Sequence, residues 1–152
     1  MIKNENAKTI KSAMSVVAML SAGSAIATPQ VTVSFTNNTT EFATYQPGSS
    51  RNETTTYSNA SPKPSNVPPG ASESYTVRAT GSSPITYGMV TYRSGSKSCQ
   101  FTTSYLMNST PGGVRTPKWN KNAVASGGAR CEISITAVNY SNHDWSVNLI
   151  MR

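Results

Sequence analysis

Two stretches near the C-terminus decide the fold: Arg130-Cys-Glu-Ile-Ser-Ile-Thr-Ala-Val-Asn139 and Trp145-Ser-Val-Asn-Leu-Ile-Met151. Cys131, Ile133, Ile135 and Ala137 alternate with polar residues in the first, as Trp145, Val147, Leu149 and Met151 do in the second. A period of two is that of a strand with one face in a core. The connection Tyr140–Asp144 is short and carries Asn142 and Asp144, which suit turn backbone, so the pair should form an antiparallel hairpin. The expected core includes Phe101, Ile133, Ile135, Trp145, Val147 and Leu149, with Glu132, Ser134 and Thr136 facing outward.

The same period recurs upstream, and no helical period is found. Val31, Val33 and Phe35 alternate with Thr32, Ser34 and Thr36. Ser72–Ala79 places Tyr75 and Val77 on one face. Ile85–Tyr92 and Ser98–Leu106 should pair across the tight turn Ser94-Gly95-Ser96, with Cys99, Phe101, Thr103 and Tyr105 sharing a face. Gly81-Ser-Ser-Pro84 marks a break before this pair. Glu41–Tyr45 and Arg51–Tyr57 are Thr-rich and read as edge strands, since β-branched residues suit a pleated surface. Pro62, Pro64, Pro68 and Pro69 exclude a central strand between Asn59 and Gly70. Asn108–Gly128, rich in Gly and Pro, reads as a long loop. Seven or eight short strands separated by turn signals predict an all-β, single-domain antiparallel β-sandwich.

Lys3, Lys8 and Lys11 lead into an uncharged Ala/Met/Val-rich segment, Ser12–Ala27, that closes on Ala25-Ile26-Ala27. A positive leader, a short apolar run and an A-x-A site are the features of a secretory signal peptide, so residues 1–27 are the expected leader and 28–152 the domain. Ser24 stands where a lipidated Cys would be needed, and no transmembrane segment is expected in the mature chain. The expected destination is extracellular or periplasmic. In such an oxidising compartment Cys99 and Cys131 should form one disulfide at the base of the long loop.

The full chain has 13 Lys and Arg against 6 Asp and Glu, a net charge of +7. A basic exported protein meets anionic partners: phospholipid headgroups, acidic glycans or envelope polymers. The segment Pro111–Arg130 combines Arg115, Lys118, Trp119 and Lys121 between two Gly-Gly pairs and is the candidate surface-binding loop. Trp suits an interface because its ring is apolar and its N–H still hydrogen-bonds. The competing reading is that Trp119 folds back to plug one end of the sandwich.

Enzymatic chemistry finds little support. His143 is the sole imidazole and sits in a turn beside Asp144, no G-x-S-x-G elbow occurs, and the few carboxylates show no paired signature. One His and two paired Cys leave no ordinary zinc set, so no metal and no cofactor are expected. The basic residues are dispersed, and nucleic acid is not an expected partner. The order of Val31-Thr-Val-Ser-Phe-Thr-Asn-Asn38, Val67-Pro-Pro-Gly70 and Tyr87-Gly-Met-Val-Thr-Tyr92 resembles small secreted β-sandwiches of the aegerolysin and actinoporin type. That resemblance implies a sandwich that acts on membranes. It covers scattered parts of the chain, the Trp/Tyr-rich lipid cluster of actinoporins has no counterpart, and no site residue is carried over. The reading is therefore a non-enzymatic binding module for an anionic membrane surface or acidic glycan, with a membrane-active cytolysin as alternative and an envelope hydrolase as second alternative.

Overall fold

The computed structural model describes residues 28–48, 50–78 and 85–152, so the expected leader with its cleavage site and the Gly81–Pro84 break lie outside the described residues. In chain order the elements are β1 (Gln30–Asn37), β2 (Thr44–Tyr45), α1 (Arg51–Asn59), β3 (Ala60–Ser61), β4 (Ser72–Arg78), β5 (Ile85–Ser94), β6 (Lys97–Ser109), β7 (Arg115–Ser126), β8 (Cys131–Val138) and β9 (Trp145–Met151). They form a five-stranded sheet, β3-β4-β1-β9-β8, and a four-stranded sheet, β2-β5-β6-β7. The all-β, two-sheet architecture is as the alternation predicts. Nine strands occur among the described residues, two of them only two residues long.

The inner faces of β1, β4, β6 and β9 are the ones the alternation predicts. Val31, Val33 and Phe35 of β1, Tyr75 and Val77 of β4, Phe101 and Tyr105 of β6, and Trp145, Val147, Leu149 and Met151 of β9 are buried together. The hairpins β5–β6 and β8–β9 pair antiparallel as expected. One pairing departs from an antiparallel sandwich: β1 and β9 run parallel, with Val33 beside Val147 and Phe35 beside Leu149. Between the sheets the Phe35 ring lies flat on Tyr92, centroids 3.6 Å apart, and Phe101 meets Phe35 edge-on. The Tyr92 hydroxyl donates to Glu73 Oε1 at 2.5 Å and stands 3.2 Å from the Tyr75 hydroxyl.

Three expectations are corrected. Arg51–Tyr57 is helical, not an edge strand. Ser50 caps α1 by accepting from the Glu53 backbone N–H, and Ser50-Arg-Asn-Glu53 has the spacing of a capping box. The helix covers the β5 edge that two-residue β2 leaves open: Thr56 Oγ1 accepts from the Met89 N–H, and buried Glu53 accepts from Thr91 and Gln100. Thr54, Thr55 and Ser58 donate to carbonyls four residues back, which occupies their hydroxyls within the helix. Second, Ile133 and Ile135 are only half-buried, because β8 is an edge strand whose inner face looks partly past the opposite sheet. A bulge between Ile135 and Ala137 then turns Ala137 out to solvent. Third, most of the expected long loop is strand β7, which returns along β6 from Arg115 opposite Ser109 to Ser126 opposite Ser98.

Cys99 and Cys131 are bonded, their Cα atoms 5.6 Å apart. The bond joins β6 in one sheet to β8 in the other. It staples the two layers behind β7, and the segment it encloses is mostly that strand and not an irregular loop. With the cysteines 32 positions apart, the cross-link stabilises by about 3.5–4 kcal/mol in the chain-entropy model. A Cys99→Ala, Cys131→Ala double variant should lose stability of that order in urea titrations. An unchanged midpoint would mean that packing alone fixes the layers.

Burial pushes the phenols of Tyr45, Tyr75 and Tyr92 well above their ordinary value, which is about 10. The unfolded chain releases those protons above pH ~10 while the folded chain keeps them, so stability is intact below that pH and falls as pH rises beyond it. In an alkaline titration at least three of the seven tyrosines should ionise only as near-UV dichroism collapses. Complete tyrosinate formation with the native dichroism preserved would contradict this burial.

Candidate binding surface

Because Arg115, Lys118, Trp119 and Lys121 lie on a strand, its alternation divides them. Trp119 pairs with Tyr105 and Lys121 with Thr103, both core-facing positions of β6, and Arg115 pairs with Ser109 in the same phase. Lys118 pairs with Leu106 and falls on the outer face. The structure thus brings three of the four to one side and sets the fourth on the other. Strand β7 carries three basic residues and no acidic one, and it ends the four-stranded sheet. The β6–β7 tip is exposed, with Val114 open to solvent.

Trp119 is half-buried and belongs to an aromatic group at this end of the sandwich. Its ring is 5.6 Å from Tyr105, 6.4 Å from His143 and 5.3 Å from Tyr140, the last meeting it edge-on. Its Nε1 donates to the His143 carbonyl at 3.3 Å. The imidazole of His143 stacks on Tyr105 at 5.0 Å, and Trp145 beneath donates from Nε1 to Thr103 Oγ1 at 2.9 Å. Burial raises the Tyr105 phenol above its ordinary value. Trp119 thus packs partly buried against the core at this end of the sandwich, while Tyr140, 71% exposed, carries the group out to solvent. Lys121 is also engaged: its Nζ donates to the Ile133 carbonyl at 3.1 Å, tying the β7 edge to β8.

The β8–β9 turn is a rigid support. The Asn139 N–H donates to the Asp144 carbonyl, Asn139 Oδ1 accepts from the Ser141 N–H, and the Asp144 carboxylate accepts from Asn142 Nδ2 and the Gln30 N–H. His143 adopts φ 65°, an uncommon conformation for a side-chain-bearing residue, which the surrounding turn bonds accompany. Asp144 is thus engaged with the turn and β1. Among the described residues, no three of His, Cys, Asp and Glu gather where a metal ion could sit, and no helix is long and apolar enough to cross a membrane.

Sequence reasoning missed Tyr140, which has no place in any alternation. It also misread the Gly pairs: Gly112-Gly113 and Gly127-Gly128 are the turns at the two ends of β7, a bracketing that could have identified the strand between them. Tyr140→Ala should leave stability within about 0.5 kcal/mol, whereas Trp119→Ala should cost about 2 kcal/mol through lost ring contacts. Urea denaturation separates the two, and equal effects would contradict the half-buried placement of Trp119.

No protein-family model matches the chain, and no curated protein matches it.

Proposed function

We propose that the chain is an exported, non-enzymatic binding module that docks on an anionic surface, a phospholipid headgroup layer or an acidic glycan, through β7 and the ring of Tyr140. The observation that carries this reading is an exposed edge strand with three cations and no acid. The charges of Arg115 and Lys118 draw the protein in over about a Debye length. Tyr140, backed by Trp119, then supplies an amphipathic contact whose rim stays hydrated. The disulfide is compatible with an oxidising compartment, and the leader supplies the expected route there.

The test is co-sedimentation with phosphatidylglycerol-containing vesicles, with pure phosphatidylcholine vesicles and with heparin, each at low and high salt. Wild type should bind an anionic probe, release it as salt rises, and bind several-fold more weakly as Lys118→Ala or Tyr140→Ala. Absence of binding to every anionic probe would sink the proposal. Release of an entrapped dye from the vesicles would move the chain to the membrane-permeabilising class.

A further inference from the structure

At the end of the sandwich opposite Tyr140 a hollow of about 490 Å³ is lined by Glu41, Phe42, Thr44, Gln46, Arg93 and Gly95. The two ends are set by β1, whose Gln30 meets Asp144 at one and whose following residue Thr39 meets Ser94 at the other. They are separated by the length of that eight-residue strand, roughly 25 Å.

The lining follows from the alternation of an extended segment. Ala43 and Tyr45 are buried in the core, so Phe42, Thr44 and Gln46 point the other way, and Arg93 lies directly opposite Thr44 in the β2–β5 register. The backbone beneath is fixed by buried polar groups. Asn37 Nδ2 donates to the carbonyls of Glu41 and Val67, at 2.8 and 2.9 Å, and Thr39 Oγ1 donates to the Glu41 carbonyl at 2.9 Å. Ala43 exchanges two backbone bonds with Val67, and the Gln46 N–H donates to the Thr91 carbonyl. Gly95, at φ +58° in the β5–β6 turn, leaves room for the Glu41 carboxylate: a Cβ there would stand 2.9 Å from Oε2.

On this frame Phe42 is 58% exposed. Among the described residues the Glu41 carboxylate and the Arg93 guanidinium make no ion pair with each other or with another residue, and no hydrogen bond reaches either charged group. A carboxylate that only accepts, a guanidinium that only donates and a carboxamide that does both match adjacent hydroxyls, which donate and accept in turn. The aromatic face matches a ring of C–H groups. The volume is that of a small-molecule site. We propose that this hollow binds one uncharged pyranose unit of a glycan, with Phe42 under the sugar ring and Glu41, Gln46 and Arg93 on its hydroxyls. The site is independent of β7, and its ligand carries no charge.

Isothermal titration calorimetry and saturation-transfer NMR with the methyl α-pyranosides of glucose, mannose, galactose and N-acetylglucosamine test it on the whole chain. At least one glycoside should bind in the millimolar range, with affinity unchanged between low and high salt, which distinguishes this site from the salt-sensitive surface on β7. Phe42→Ala and Glu41→Gln should each weaken it ten-fold or more, and Phe42→Tyr should restore it. Thermal unfolding of Phe42→Ala at the wild-type midpoint establishes that the variant folds. Binding of none of the four glycosides, binding indifferent to Phe42→Ala, or binding of the zwitterion glycine betaine with no glycoside would overturn the proposal.

Discussion

The flat contact of Phe35 on Tyr92 is the joint on which the two layers depend. Phe35 comes from β1, the middle of the five-stranded sheet, and Tyr92 from β5 in the other. Phe101 of β6 and Tyr45 of β2 meet the pair edge-on. The Tyr92 hydroxyl passes through the core to Glu73 on β4, whose second oxygen receives Ser65. Five strands and a loop are thus indexed to one stack. A smaller aliphatic core would hold the same sheets apart at about 10 Å but would leave Glu73 Oε1 without the hydroxyl it accepts from.

A sandwich of flat sheets has two open sides, and this chain closes them by different chemistry. On one, α1 lies along β5 and hands the chain from the four-stranded to the five-stranded sheet at β3. Its polar side chains take up the edge N–H of Met89 and the outward groups Thr91 and Gln100. On the other, a covalent bond and the reach of Lys121 to Ile133 span β6, β7 and β8. The first depends on buried polar groups finding partners, which Thr56 Oγ1 and Glu53 Oε1 do, while Glu53 Oε2 has none among the described residues. The second fixes spacing while leaving β7 exposed.

What could be read from the sequence divides along this line. Strands paired on both sides, β1, β4, β6 and β9, have a clean period because most of their inward positions are apolar. Strand β7 lacks it: as an edge its inner positions hold Trp119, Lys121 and Ala123, which share no hydropathy, and Pro117 is tolerated there. Ile135 has the right period and the wrong depth, since alternation reports the face and not the distance from the rim. Helix α1 was obscured by its threonines, although Ser50 and Glu53 carried the local signal. The candidate surface was legible as charge and one Trp. Tyr140 was not, and neither was the trio Phe42, Thr44 and Gln46, because solvent-facing residues obey no packing rule.

The parallel pairing of β1 with β9 sets the order in which the molecule can be completed. The slot between β1 and β8 is filled by the last strand of the described chain, so while the polypeptide is being made, Val31, Val33 and Phe35 have a neighbour on the β4 side and none on the other. Contacts this distant along the chain form slowly. Until Trp145–Met151 is in place, the five-stranded sheet is two separate pieces, β3-β4-β1 and β8, and the strand that completes the core is also the one that joins them.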